Sequence, residues 1–123
     1  MNDRDAPGRI VRNIHEVEML PNDLDGGDAP QDNVFYAPLS YDKDDHQNGC
    51  YLFKMNPGSE SIPHEHQNNE DYLILEGELI ESDGTVLKPG DFVHYDKGTY
   101  HNSRTETGCL ILVAEWLKPS EMA

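Results

Sequence analysis

Positively charged residues are scarce in this sequence. Its 123 residues include 9 lysines and arginines against 24 aspartates and glutamates, which gives a formal net charge of −15. A surface of this sign repels the phosphate backbone of DNA and RNA, so we expect no direct binding to nucleic acid. The charge is typical of a solubilising surface, and it leaves a basic protein partner open.

Cysteines and long apolar runs are also few. Cys50 and Cys109 are the only two cysteines, too few for a disulfide framework, and we expect buried free thiols in a reducing compartment. The longest apolar run, Cys109 to Ala114, suits a buried strand and is far shorter than the roughly 18 residues of a membrane-spanning helix. The first ten residues, MNDRDAPGRI, lack the apolar stretch of a secretory signal. We therefore expect a cytoplasmic protein without membrane association.

No helical apolar period extends over a useful length, and short strand-like segments take its place. Segments 34–41, 50–55, 70–82, 91–95 and 109–117 read as strands, and turn signals such as Asp83-Gly84 and Pro89-Gly90 separate several of them. Short strands at this spacing predict an all-β sandwich or barrel. We expect residues 1–33 to form a partly disordered arm and loop, residues 34–118 a single barrel, and residues 119–123 a tail.

Four side chains in the second half of the chain suggest a metal site. His64 and His66 are two residues apart, so on a strand both would point to the same side. Glu70 follows four residues later, and His101 lies far along the chain, where a barrel can bring it opposite the others. Each residue alone is ordinary, because surface histidine pairs and solvated glutamates are common. Their joint spacing carries the hypothesis.

That spacing resembles the first conserved motif of the cupin superfamily. The order is Gly58, five residues, His64, one residue, His66, three residues, Glu70, six residues, Gly77. The second motif is less complete: it keeps the residues Gly90, Gly98 and His101, but the family's usual proline is Asp96 here and its usual asparagine is Thr105. The resemblance covers roughly residues 50–117.

The resemblance implies both a fold and a cofactor. The fold is a double-stranded β-helix, a jelly-roll barrel of two antiparallel sheets. The cofactor is one divalent metal ion held by His64, His66, Glu70 and His101. Three imidazoles and a carboxylate suit Fe, Mn, Ni, Cu or Zn, and the lack of thiolates argues against a closed structural zinc site. The ligand set does not choose among Fe, Zn, Mn and Ni.

Alternation along the strand that begins near Glu70 predicts which side chains face the cavity. Tyr72 and Ile74 turn inward, whereas Leu73 and Leu75 turn outward. Glu70 and Tyr72 are therefore our candidate catalytic residues. Tyr72 either offers its hydroxyl near the metal or packs in the core with the hydroxyl satisfied elsewhere. The outward leucines need a cover, from the second sheet or from a partner chain, and because cupins often dimerise through such faces we expect a homodimer.

Three functions fit this reading. The leading hypothesis is a small mononuclear-metal dioxygenase that acts on a small chelating ketone, diketone or aromatic compound. The second is a non-catalytic zinc-binding sensor, since the stretch from Leu75 to Trp116 resembles the cupin domain of ChrR-type anti-sigma factors. The first 50 residues show neither the zinc-finger spacing nor the helical sigma-binding domain that a full anti-sigma factor would have. The third is a barrel that binds or isomerises a sugar-like ligand.

Overall fold

The computed structural model describes residues 3–22, 31–61 and 63–122, and within these it leaves the side chains of residues 31, 32 and 64 undescribed. The described residues form eleven strands and one short 3-10 helix, Pro119–Glu121. The strands are β1 (Leu20–Asn22), β2 (Gln31–Pro38), β3 (Gly49–Met55), β4 (His64–Glu65), β5 (Asn69–Gly77), β6 (Leu79–Glu81), β7 (Val86–Leu87), β8 (Phe92–Tyr95), β9 (Tyr100–His101), β10 (Ser103–Arg104) and β11 (Cys109–Trp116).

The strands form two antiparallel layers. Six of them make one sheet in the order β1-β2-β3-β11-β5-β8. The other layer is built from a three-stranded piece, β10-β6-β7, and a two-stranded piece, β4-β9. This arrangement agrees with the predicted all-β barrel, and it divides the second sheet into two short pieces. No helix in the described part of the chain has the length and apolar character to cross a membrane.

The core lies between the layers, and strand alternation decides which side chains enter it. Tyr72 and Ile74 of β5 are buried, whereas Leu73 and Leu75 are only half-buried on the outer face, as predicted. Burying a large apolar side chain contributes about 1.5–3 kcal/mol. The core cluster comprises Val34, Tyr36, Tyr51, Met55, Tyr72, Ile74, Leu79, Leu87, Cys109, Ile111 and Val113.

The chain passes from the first sheet to the second at Gly77. This glycine has φ of 73°, and a Cβ atom there would lie 1.9 Å from the carbonyl oxygen of Gly108. Only glycine tolerates both the backbone angle and the close approach. The turn carries β6 into the opposite layer, and this strand supplies a residue of the site.

The first strand of the larger sheet begins earlier in the chain than the sequence composition indicates. β1 lies within the segment expected to be arm and loop, and it pairs antiparallel with β2. The arm before it is tied by Asp5, whose carboxylate accepts hydrogen bonds from the Arg12 side chain and the Val11 amide. The expected arm and loop over residues 1–33 also includes residues 1–2 and 23–30, which lie outside the described residues.

Both cysteines are free in the structure. Cys109 is buried and Cys50 is half-buried. Burial raises the pKa of the Cys109 thiol to about 11, so this side chain stays protonated and unreactive near neutral pH.

Candidate metal centre

Three of the four predicted ligands converge inside the barrel. The donor atoms of His66, Glu70 and His101 all lie within 4.8 Å of one another. The Nε2 atoms of His66 and His101 are 2.6 Å apart, and Nε2 of His66 lies 3.8 Å from Oε2 of Glu70. Both histidines are buried and the Glu70 side chain is nearly so. Residues that the motif spacing grouped together, although they are distant in the sequence, are therefore close in the structure.

Backbone hydrogen bonds position the ligands. His66 follows β4, its amide donates to the carbonyl of Thr99, and its carbonyl accepts from the amide of Gly98, each at 2.8 Å. The segment that contains Gly98 and Thr99 continues into β9, which carries His101. Glu70 lies near the start of β5, where the register pairs it with Tyr95 of β8. The second-motif segment thus holds the His-x-His segment directly, despite its departures from the usual sequence.

His64 lies in β4, opposite His101 of β9 in the strand register. Its backbone is therefore next to a converging histidine. Its side chain lies outside the described residues, so its role as the fourth ligand stays a prediction.

Glu81 supports the site and was missed by the sequence analysis. Its Oε2 atom is 2.8 Å from Nδ1 of His101. An ionised carboxylate can only accept, so Nδ1 of His101 donates, and in the neutral ring Nε2, which faces His66, is then the nitrogen that carries the lone pair. A carboxylate behind a histidine in this way fixes the ring orientation and raises its basicity toward a metal.

Hydrogen bonds from several side chains hold Glu81 in place. The hydroxyls of Tyr72 and Ser103 donate to Oε1 at 2.6 and 3.0 Å, and the hydroxyl of Tyr95 donates to Oε2 at 3.1 Å. Burial alone would raise the pKa of Glu81, but the hydrogen bonds from His101, Tyr72 and Ser103 outweigh it and hold the pKa below its usual range. Glu81 is therefore an anion at neutral pH. The sequence signal that could have identified Glu81 is a single acidic residue on the inward face of a short apolar strand.

Tyr72 lines the cavity with its ring, while its hydroxyl is engaged by Glu81. Burial, and next the charge of Glu81, raise the pKa of the Tyr72 phenol well above its ordinary value, so it remains a hydrogen-bond donor. Of the two roles considered from the sequence, the geometry matches the one in which the hydroxyl is satisfied away from the metal ligands. A direct catalytic role for Tyr72 stays a prediction.

A cavity of about 370 Å³ opens beside the converging donors. Its buried wall is mainly apolar and aromatic, and its more exposed wall carries glutamates and glutamines. The first group includes Tyr51, Met55, Leu79, Ile111 and Val113, and the second includes Gln47, Glu65, Gln67 and Glu115. The site therefore has room for a small molecule next to the donors.

The donor set fits a metal ion. Two imidazole nitrogens and one carboxylate oxygen converge without any thiolate, a combination that suits Fe, Mn, Ni or Zn. The hydrogen bond from Nδ1 of His101 to Glu81 leaves Nε2 as the nitrogen of this ring that could bind a metal. These residues could thus hold one ion and orient a second molecule in the cavity.

His94 lies on the outer face of the barrel and takes no part in this centre. Its ring contacts the carboxylates of Asp71 and Asp96, and the indole of Trp116 donates to Asp71 at 2.9 Å. It is a strand residue whose ring nitrogens both have carboxylate partners.

A jelly-roll barrel whose cavity gathers histidines and a glutamate in this order is typical of the cupin class. Residues 22–118 match the family described as the ChrR cupin-like domain, and the chain belongs to this family. Comparison with curated proteins gives no significant match.

Solved structures agree on the fold. The chain is similar to an RmlC-like cupin from Shewanella frigidimarina, with a TM-score of 0.67 and 17% identity over 91% of this chain and 94% of that one. It is similar to a chain in the complex of Rhodobacter sphaeroides SigE with the anti-sigma ChrR, with a TM-score of 0.61 and 21% identity over 85% of this chain and 52% of that one. A predicted oxalate decarboxylase from Thermotoga maritima is 26% identical, with a TM-score of 0.65 over 89% of this chain and 100% of that one. These comparisons confirm the predicted jelly-roll fold.

Proposed function

We propose that this protein is a mononuclear-metal cupin that acts as a small dioxygenase on a chelating ketone, diketone or aromatic compound. The observation that supports this most directly is the convergence of His66, Glu70 and His101 on one side of a cavity that has space beyond the donors. A purely structural zinc site is closed by its ligands, whereas a catalytic site leaves positions for substrate.

The metal in this proposal is one divalent ion, Fe, Zn, Mn or Ni, held by His64, His66, Glu70 and His101. When bound, it would orient the oxygens of a chelating substrate and activate dioxygen beside them. Glu70 would serve as a ligand and, if released, accept a proton from the substrate. Tyr72 would act through Glu81 and His101, by holding the histidine in its ligating orientation.

The cavity walls would exclude water and provide packing surface for the substrate. Buried aromatic and aliphatic side chains, among them Tyr51, Met55 and Ile111, would exclude water and pack against a flat substrate. We place the protein in the cytoplasm as a homodimer that binds a small molecule, with neither nucleic acid nor membrane as partner.

The first experiment is elemental analysis of untagged protein, followed by oxygen uptake after reconstitution with Fe(II). We expect close to one metal ion per chain, and oxygen uptake with acetylacetone or catechol. His66→Ala and His101→Ala should lose most of the metal, and so should His64→Ala if its side chain is the fourth ligand. His94→Ala is the matched control, because this histidine lies on the outer face. Full metal content in His66→Ala or His101→Ala would contradict the site.

A zinc-binding sensor is the second candidate, because the family is that of ChrR cupin-like domains. If the protein is a zinc sensor, we expect it to retain one zinc ion per chain through purification, and we expect its Fe(II) form to consume no oxygen. A sugar-binding barrel would instead show thermal stabilisation by its ligand even after the metal is stripped.

A further inference from the structure

The charges around the cavity are of one sign. Glu65, Glu70 and Glu115 line it, together with the two buried histidines. All nine lysines and arginines of the chain lie within the described residues, and none of them lines the cavity. A carboxylate or phosphate on the body of a ligand would therefore lose its hydration without gaining a cationic side chain, which is costly.

The strand register places two of these glutamates side by side. Glu115 of β11 pairs with Glu70 of β5, and both line the cavity. Directly opposed side chains on one face have Cβ atoms about 4.5–5.5 Å apart, and like charges in this position are destabilising. Glu70 is one of the converging donors, whereas Glu115 is not among them. Glu115 therefore adds negative charge to the cavity wall beside the donors, where a cationic group on a ligand would be attracted.

Aromatic rings lie in the same wall. Tyr41 and Tyr51 line the cavity and contact each other edge to face, with ring centroids 4.9 Å apart. Phe53 and Tyr72 add two further rings. Such a wall packs well against a flat ligand, and ring faces also attract cations.

We propose that the cavity selects ligands whose body, beyond the oxygens that bind the metal, carries no anionic group, and that Glu115 is the residue that makes a cationic amine preferred there. This inference rests on one part of the proposed function, namely that the chelating oxygens of the ligand bind at the metal centre. A chelating aromatic compound with an amine side chain has the required chemistry. Substrates with a second acidic group, such as dicarboxylates or sugar phosphates, are rejected.

The test uses three probes with the same chelating head. Catechol is neutral beyond its hydroxyls, dopamine adds a cationic amine, and 3,4-dihydroxyphenylacetate adds a carboxylate. Their dissociation constants are measured by calorimetry on the zinc-loaded protein without oxygen, because zinc has no redox chemistry and the probes then stay intact. We expect dopamine to bind about tenfold more tightly than the carboxylated probe, with catechol in between, and the difference to shrink in high salt.

Variants then locate the cause. Glu115→Gln should bring the affinity for dopamine down to that for catechol, and Glu115→Lys should reverse the order of dopamine and the carboxylated probe. Glu106→Gln is the matched control, because Glu106 is exposed and lies outside the cavity lining. If Glu115→Gln does not fold, Glu65→Gln tests the same wall, and the order of the three probes on the wild-type protein tests the proposal without any variant.

Three results would overturn the proposal. The first is a carboxylated probe that binds as tightly as catechol, and the second is the failure of all three probes to bind. The third is a dopamine preference that Glu115→Gln leaves unchanged. Failure of the proposed dioxygenase function looks different: the Fe(II) form then consumes no oxygen, while the zinc form still ranks the probes by charge.

Discussion

At the residue scale, the candidate metal centre is supported by a side chain that is not a candidate ligand. Glu81 accepts a hydrogen bond from Nδ1 of His101, and hydroxyls from Tyr72, Tyr95 and Ser103 orient the Glu81 carboxylate. The hydrogen bonds from His101, Tyr72 and Ser103 also keep Glu81 ionised. Hydrogen bonds within the protein therefore hold His101 in the position where its Nε2 atom lies close to that of His66. The strength of metal binding should follow the charge and position of this carboxylate.

We expect Glu81→Gln to weaken zinc binding by about 10–100-fold, because the neutral amide makes His101 a poorer ligand. The measurement is competition against a chromophoric zinc chelator. Glu76→Gln is the control, since Glu76 is exposed on the neighbouring strand β5. An unchanged zinc affinity in a folded Glu81→Gln protein would show that this carboxylate does not tune the site.

His94 provides a second prediction at this scale. Hydrogen bonds with Asp71 and then Asp96 raise the pKa of His94 above its ordinary 6.5. Its stabilising contribution is therefore fully present below about pH 6.5 and is lost as the pH rises through the raised folded-state pKa. We expect the stability difference between the wild type and His94→Gln to shrink from about pH 6 to about pH 9.

The measurement for His94 is denaturant unfolding of both proteins in the presence of a chelator, so that metal binding adds no pH dependence of its own. Using the difference between the two proteins removes the effects of the other titrating groups. A difference that stays constant over this pH range would mean that the protonated form of His94 adds nothing to stability.

At the element scale, the site depends on the turn that moves the chain between sheets. Gly77 has φ of 73° and no space for a Cβ, whereas Gly84 has φ of 91° and a Cβ atom there would have no neighbour within 4 Å. We expect Gly77→Ala to cost about 2–4 kcal/mol of unfolding free energy and Gly84→Ala about 1 kcal/mol. Gly77→Ala should also weaken metal binding, because β6 carries Glu81.

Denaturant unfolding and zinc competition on both variants test this prediction. Gly84→Ala is the matched control, because it shares the positive φ but lacks the clash. Equal destabilisation of the two variants would show that the backbone angle alone matters and that the contact with Gly108 does not.

The same scale shows what the sequence could predict. Alternation with a period of two correctly placed Tyr72 and Ile74 inside, because β5 is regular over that stretch and one face is buried. Motif spacing brought His66, Glu70 and His101 together. Glu81 was missed because its role arises only when β6 pairs with β10 in the second layer, which brings Glu81 to His101. No local sequence pattern indicates which sheet a short strand joins.

The edge strand β1 lies mostly in a stretch whose composition favours a loop, for a related reason. It is three residues long, contains Pro21, and pairs with β2 through an irregular register. Such a strand gains its stability from the sheet it joins, and its own composition favours a loop.

At the scale of the whole molecule, the outer face of the larger sheet bears on the predicted homodimer. Phe92 of β8 is 66% exposed, and it lies beside Leu73 of β5, which in turn pairs with Leu112 of β11. This apolar row is the surface that a second copy would cover. The homodimer itself stays a prediction.

Sedimentation velocity over a range of protein concentrations tests it. We expect a dimer for the wild type and a shift toward monomer for Phe92→Lys, because a buried charge replaces an apolar anchor in the interface. Val86→Lys is the control, since Val86 is also exposed but belongs to β7 of the other layer. A wild-type protein that remains monomeric at every concentration would rule out this dimer.

The position of β11 has a consequence for biosynthesis. This strand lies between β3 and β5 in the middle of the larger sheet, yet it is the last strand in chain order. β3 and β5 have no direct pairing with each other, so a nascent chain cannot close the sheet until residues 109–116 have left the ribosomal exit tunnel. We therefore expect the larger sheet to close only once this segment is available, and a metal ion held by the candidate site would be captured only after that.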